Sequence, residues 1–185
     1  MIKVVTLVGT RPEIIKLSSA ITKFEKYFNH TLIHSGQHYD YELSEVFFKD
    51  LGLKEPSIYL NSAKKNAVET ICSIITNFYN KLKKLKPDAV VVLGDTNSAM
   101  GVFAAKKLKI PIFHLEAGNR CFNLNNPEEL NRKIVDHISD INMPYTSIAR
   151  SYLLNEGIDP DKIIKVGSPM SEVLLNISPR LKKRN

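Results

Sequence analysis

Cysteine is scarce: Cys72 and Cys121 are the only two in 185 residues, and they lie far apart. Two cysteines do not make a disulfide framework in a chain of this length, so a reducing compartment is the expectation. Long apolar runs are missing too. The first, Ile2 to Val8, is short, leads straight into charged residues and lacks a signal-peptide cleavage pattern. No stretch is long enough to cross a bilayer. The expected location is therefore cytoplasmic, with no membrane partner. No His/Cys/Asp/Glu cluster has metal-ligand spacing, so no metal is expected. There is no internal repeat and no low-complexity linker. The basic clusters Lys81-Leu-Lys-Lys-Leu-Lys86 and Arg180-Leu-Lys-Lys-Arg184 carry no interleaved aromatics for base stacking. The formal net charge of +7 is thus read as a solvated helix end and a polar tail, not as a nucleic-acid surface.

What is present suits one large domain. Apolar residues make up 43% and charged residues 24%, enough for a core without disulfides or metals. Ile2–Val8 is almost wholly apolar, as a strand buried on both faces should be. Pro12 then stands at a helix start, where its missing N–H costs nothing, and the helix runs to about Tyr27. Further strands are expected at Thr31–His34, Ile58–Leu60, Ala89–Leu93, Ile110–Leu115, Ile141–Pro144 and Ile163–Val166. Helices are expected at Tyr41–Leu51, Ala67–Leu85, Asn97–Leu108, Pro127–Ile138 and Thr146–Glu156. The alternation predicts an α/β fold: a Rossmann-like, doubly wound parallel sheet of about seven strands, covered on both faces. From Ser168 onward the pattern weakens, and Ser178-Pro179 precedes the basic tail.

Four polar segments fall where strands end: Gly9-Thr-Arg-Pro-Glu-Ile-Ile-Lys16, Gly94-Asp-Thr96, His114-Leu-Glu-Ala-Gly-Asn-Arg120 and Pro127-Glu-Glu-Leu-Asn-Arg132. Ligands of open α/β sheets bind outside the carboxyl ends of the strands, so these segments can converge. In the first, Gly9 permits a sharp turn into a helix N-terminus, whose free N–H groups and dipole favour an anion. Arg11 and Lys16 add cationic contacts. The same residues also suit a capped helix with a surface ion pair. The Gly-Lys-Ser/Thr ending of a P-loop is absent, and so are the second and third glycines of a dinucleotide fingerprint. Asp95 is either a helix cap or a general base or sugar-hydroxyl ligand. Glu116 has no evident structural reason to end a buried strand. Set beside Asp95, it would have its ionisation opposed, and such a pair moves protons. Glu128 and Arg132 share a helix face, as an exposed ion pair or as part of the site. His38, after the second strand, is a candidate base or ligand donor or a plain loop residue. His34 and His137 are read as core or surface histidines.

Taken together, in order and spacing, the four segments resemble the non-hydrolysing UDP-N-acetylglucosamine 2-epimerase family, over nearly the whole chain. Glu116-Ala-Gly-Asn-Arg-Cys-Phe122, Asp136-His-Ile-Ser-Asp-Ile-Asn142 and Gly167-Ser-Pro-Met170 are most similar to a subgroup. That subgroup inverts C2 of UDP-linked 2-acetamido-2,6-dideoxy sugars on the route to N-acetyl-L-fucosamine, for capsule or O-antigen. The resemblance implies half of a GT-B-type architecture of two Rossmann-like domains. It implies anti elimination of UDP to a 2-acetamido-glycal and re-addition with C2 inverted, without metal or nicotinamide cofactor. It assigns Arg11 and Lys16 to the diphosphate, Arg132 to positioning a carboxylate or binding substrate, and Asp95, Glu116 and Glu128 to the acid/base set; His38, from its place after the second strand, is kept as a substrate-binding candidate.

The family's uridine pocket and its Gly-His-Arg histidine belong to a second domain. Neither Gly-His-Arg nor an acidic Ser-Gly-Gly segment occurs here. The expectation is an N-terminal domain at residues 1–170, with 171–185 as a truncated interdomain hinge and basic tail. Such a chain carries half a site and is expected to be inactive alone. A separately encoded C-terminal half would complete it; the alternative is a non-catalytic remnant that binds a nucleotide sugar weakly. The exposed interdomain face should be rich in the polar segments, and is a candidate surface for a homodimer.

Overall fold

A computed structural model describes residues 1–37 and 48–181. Its centre is a six-stranded sheet, wholly parallel, in the order β3-β2-β1-β4-β5-β6. The strands are β1 (Lys3–Val8), β2 (Asn29–His34), β3 (Ile58–Tyr59), β4 (Ala89–Leu93), β5 (Ile112–Leu115) and β6 (Ile141–Met143). From β1 the chain winds outward one way through β2 and β3. It then returns to β4 and winds the other way through β5 and β6. The order therefore reverses between β1 and β4, and the loops that leave those two strands diverge around a crevice.

Alternation within the strands divides the core. Val5, Leu7, Val90, Val92 and Ile112 face one side, in a cluster with Ile74, Phe78 and Leu82 of α2 (Ala67–Leu85), Val102, Ala104 and Ala105 of α3 (Val102–Lys107) and Val135 of α4 (Pro127–Ile138). Val4, Val8, Leu32, Val91, Leu93 and Leu115 face the other, against Ile14, Leu17 and Ile21 of α1 (Arg11–Tyr27). Covering is uneven on this second face. Val4, Val91, Phe113 and Met143 line an apolar groove of about 540 Å³, flanked by Ala20 and Phe24 of α1.

The helix ends have local causes. Thr10 is the N-cap of α1, with Pro12 in its first turn and Glu13 closing a capping box. Asn66 and Asn126 cap α2 and α4 by accepting from the N–H groups of Glu69 and Glu128.

Three expectations need correction. The helix placed at Asn97–Leu108 opens as a 3-10 turn over Asn97–Gly101 before α3 begins. There Gly101 passes so close to Leu7 and Phe78 that a Cβ would fall 2.6 Å from a Leu7 methyl. The seventh strand reduces to one bridge, from Ile163 to Asn142. The Ile164 and Val166 N–H groups still donate to Asn142 and Pro144 carbonyls, but Ile164 and Val166 are exposed. The weak pattern after Ser168 gives, beyond α5 (Ser147–Asn155), a further helix, α6 (Met170–Leu181). Glu172 ties α6 to Ser19 and Lys23 of α1, and Val173 is buried. Residues 48–51 are helical; the rest of the helix expected at Tyr41–Leu51 lies outside the described residues.

Phe78 is fully buried at the centre of the larger cluster. Phe78→Ala should lower unfolding stability by about 3–5 kcal/mol, the usual range for an emptied aromatic core site. Urea denaturation followed by circular dichroism measures it.

Candidate functional site

The loops after β1, β4 and β5 and the first turns of α4 meet at one end of the sheet. Arg132 is the meeting point. It is 6% exposed, too buried to be left without counter-charge. One terminal nitrogen donates to the Asp95 carboxylate, the other to the Glu116 carbonyl oxygen. The nitrogen that meets Asp95 also stands 3.7 Å from Glu116 Oε1. Glu116 Oε2 in turn accepts from Lys16 Nζ at 2.5 Å. Lys16, Glu116, Arg132 and Asp95 thus form one ionic chain across α1, β5, α4 and β4. A cavity of about 180 Å³ opens beside it, lined by Asp95, Arg120, Cys121, Glu128 and Arg132 among others.

Six of the expected site residues can be placed. Lys16, Asp95, Glu116 and Arg132 are in direct contact, and Glu128 shares the cavity. Arg11 is exposed at the first residue of α1. His38 lies outside the described residues. Arg132 is not the exposed partner of Glu128: it is buried and turned to Asp95 and Glu116. The two central carboxylates are not bare neighbours either, because Arg132 contacts both. Just ahead of α1, two backbone N–H groups are already taken. Gly9 and Thr10 N–H donate to Glu13 Oε2, each at 2.7 Å. An anion there would meet the side chains of Arg11 and Lys16 rather than those amides.

Behind the ionic chain lies a second set of charges that sequence reasoning missed. His114 is fully buried on β5. Its Nε2 stands 2.8 Å from the Gly94 carbonyl and its Nδ1 2.9 Å from Asp136 Oδ1. Asp136 also accepts from Gly118 N–H and from Arg120 at 2.7 Å. Arg120 grips Glu156 with Nε and a terminal nitrogen, at 2.7 and 2.6 Å. Glu129, at 3% exposure, accepts from Cys121 and Phe122 N–H. Asn131 donates to the Asp95 carbonyl at 3.0 Å.

These contacts explain an unusual backbone. Glu116 has φ +62° without being glycine, a conformation that surrounding structure must enforce. Gly118 has φ +79°, and a Cβ there would lie 2.4 Å from the Ala149 carbonyl oxygen. The turn between them therefore admits few sequences. Tyr145, after β6, buries its hydroxyl without a hydrogen-bond partner among the described residues. Burial first, and then the nearby Glu116 charge, push its phenol above the ordinary value.

The fold is that of the Rossmann-like half of a two-domain GT-B protein. Residues 20–185 match the family model described as UDP-N-acetylglucosamine 2-epimerase, and the chain belongs to that family. It is similar to a solved epimerase of that name from Rickettsia bellii, with 50% identity and a TM-score of 0.93 over 99% of this chain and 49% of that one. It is also similar to the Methanocaldococcus jannaschii enzyme solved with UDP-GlcNAc and UDP. That match has 40% identity and a TM-score of 0.93, over 100% of this chain and 51% of the other. A Pseudomonas aeruginosa UDP-2,3-diacetamido-2,3-dideoxy-D-glucuronate 2-epimerase is 38% identical over 184 residues, 96% of this chain and 52% of that protein. The chain spans about half the length of the curated relatives it matches. Among the described residues, no helix is long and apolar enough to cross a membrane.

Asp136 offers a pH test of the frame. Burial pushes its carboxyl up, but His114 and then Arg120 outweigh this and hold it below the ordinary Asp value. The stabilisation is therefore present above the ordinary range and lost as pH falls below about 4. Asp136→Asn should cost about 3 kcal/mol at pH 7, because it leaves buried Arg120 short of a counter-charge. It should also flatten the acid limb of stability, read from urea unfolding at a series of pH values.

Proposed function

We propose that this domain supplies the acid/base and diphosphate-binding side of a UDP-2-acetamido-sugar 2-epimerase. The observation that carries this reading is the ionic chain from Lys16 through Glu116 and Arg132 to Asp95, set in the crevice between β1 and β4. Inverting C2 needs a proton removed on one face of the sugar and returned on the other. It also needs a leaving diphosphate held by fixed cations. In this reading a carboxylate of the Asp95, Glu116 and Glu128 set takes the C2 proton. The C1–O bond then breaks, UDP departs with that bond pair, and a 2-acetamido-glycal remains. Re-addition restores the C1–O bond while an acid of the same set protonates C2 from the opposite face. No electrons are exchanged with a cofactor.

Arg11 and Lys16 meet the diphosphate, and Arg132 positions the carboxylates. Lys16 is engaged with Glu116, so an incoming diphosphate competes for the same ammonium and frees that carboxylate for proton transfer. Residues 1–170 act as the domain proper, with 171–185 as the passage toward the second half. Uridine recognition belongs to that half. Within the substrate class we favour a 6-deoxy sugar on the route to N-acetyl-L-fucosamine, for capsule or O-antigen, made in the cytoplasm.

The test pairs the full chain with the C-terminal half of the Methanocaldococcus jannaschii relative. The pair is incubated with UDP-N-acetylglucosamine and its 6-deoxy counterpart in deuterated water. Proton NMR should show deuterium at C2 and a C2-inverted product, and no activity for the chain alone. Asp95→Asn and Glu116→Gln should each lower the rate by about 10²-fold or more. Absence of C2 deuterium in every pairing would sink the reading. Calorimetry with UDP on the same samples separates this from a remnant that binds without turnover.

A further inference from the structure

Glu13 is a buried carboxylate that the proposed chemistry does not use. It stands at 2% exposure, one turn into α1, where the helix dipole favours negative charge. Oε2 accepts from the N–H groups of Gly9 and Thr10 and from the Thr10 hydroxyl at 3.0 Å. Oε1 accepts from the Thr96 hydroxyl at 2.7 Å. All four partners are donors, so the cradle is built for an ionised carboxylate. Burial, the largest influence, still leaves its carboxyl above the ordinary value, although the hydrogen bonds, that of Thr96 first, pull against this.

The Thr96 contact matters because of where it lies. Glu13 follows β1 and Thr96 follows β4, so this one bond crosses the crevice where the strand order reverses. Thr96 adjoins Asp95, and its hydroxyl also accepts from Ser98 N–H, capping the 3-10 turn. The same two loops touch a second time. Gly9 lies so close to Ser98 that a Cβ would fall 1.9 Å from its hydroxyl oxygen. The Ser98 hydroxyl is held by Gln37 and Ser35 at 2.8 and 2.6 Å.

We propose that Glu13 is a positioning residue. Its carboxylate locks the Gly9–Arg11 turn to the Gly94–Thr96 turn and so fixes the separation of Asp95 from the cations of α1. The inference rests on the reading of the site given above. It needs no contact between Glu13 and substrate: the Gly9, Thr10 and Thr96 groups surround the carboxylate on the protein side. A displacement of about 1 Å at a reacting group costs up to about 10²-fold in rate, which sets the scale.

The experiment has two arms. In the first, amide NMR spectra of the isotope-labelled full chain are compared for wild type, Thr96→Val, Thr96→Ser and Glu13→Gln. Thr96→Val should move the Gly9 and Thr10 amides on the far side of the crevice, and Thr96→Ser should leave them in place. Glu13→Gln should move the Asp95 and Thr96 amides in return. In the second, the paired enzyme is assayed. Thr96→Val should lower kcat about ten- to a hundredfold with KM little changed, and Thr96→Ser should restore it. A destabilised fold would not give that split or that rescue. Unmoved Gly9 and Thr10 amides, or an unchanged kcat in a folded Thr96→Val enzyme, would overturn the inference. If Thr96→Val does not fold, Glu13→Gln decides through the Asp95 and Thr96 amides. If the wild-type pair shows no turnover, the proposed reaction fails, and the amide shifts still decide whether Glu13 couples the loops.

Discussion

A guanidinium with almost no access to water organises this end of the molecule. Arg132 must be neutralised where it stands, and its partners come from two different strand ends: Asp95 after β4 and Glu116 after β5. Satisfying one buried cation therefore fixes the relative position of three elements. Removing either partner would leave a desolvated charge, a penalty of about 3–5 kcal/mol. The charge also bends the backbone to its need. Glu116 offers its carbonyl oxygen to Arg132 while its carboxylate reaches Lys16, and the residue takes φ +62°. Groups held by fixed partners in this way are preorganised, the condition under which electrostatic stabilisation is most effective.

That arrangement is supported from behind by a second row of charges. His114 holds the carbonyl before Asp95, Asn131 holds the carbonyl of Asp95 itself, and Glu13 holds the hydroxyl after it. The β4 turn is thus secured at three consecutive residues, by groups from β5, α4 and α1. Asp136 does the same for the β5 turn through Gly118 and Arg120. The fully buried Arg120 side chain reaches Asp136 and the partly exposed Glu156, so its charge is compensated on two sides. Charges buried in this way are tolerated because each has a partner and hydrogen bonds besides.

The sheet was legible because a strand buried on both faces has few alternatives. Ala89–Leu93 and the opening Ile2–Val8 run could be little else, and Ala67–Leu85 announced itself by helical spacing and by Pro87 beyond it. Ends were less legible. The 3-10 opening at Asn97 depends on Gly101 passing close to Leu7 and Phe78, a long-range contact that no local pattern reveals. The seventh strand failed because Ile163–Val166 is apolar enough to suggest a buried strand, yet Ile164 and Val166 face solvent and the pairing rests on alternate amides alone. The polar segments do gather at one end of the sheet, as their places after strands suggested. How Glu128 and Glu129 differ was hidden, since they are one chemical type in adjacent positions. Both line the cavity, but only the turn of α4 buries Glu129 against the Cys121 and Phe122 amides and leaves Glu128 exposed.

Hydrogen bonding sorts the acids around the crevice. Glu13, Glu129 and Asp136 are buried, and both oxygens of each accept from donors of the protein itself. Both oxygens of such a carboxylate are engaged on the protein side, and protonating an oxygen whose lone pairs are taken would set a new hydrogen against an existing donor. Asp95, Glu116 and Glu128 are different. The side chains of Asp95 and Glu116 keep 23% and 13% of their surface exposed, and Glu128 stands open on the cavity wall. Asp95 and Glu116 are countered by Arg132 and Lys16. Burial and hydrogen bonding thus divide the acids that hold the loops from those that keep exposed surface at the crevice.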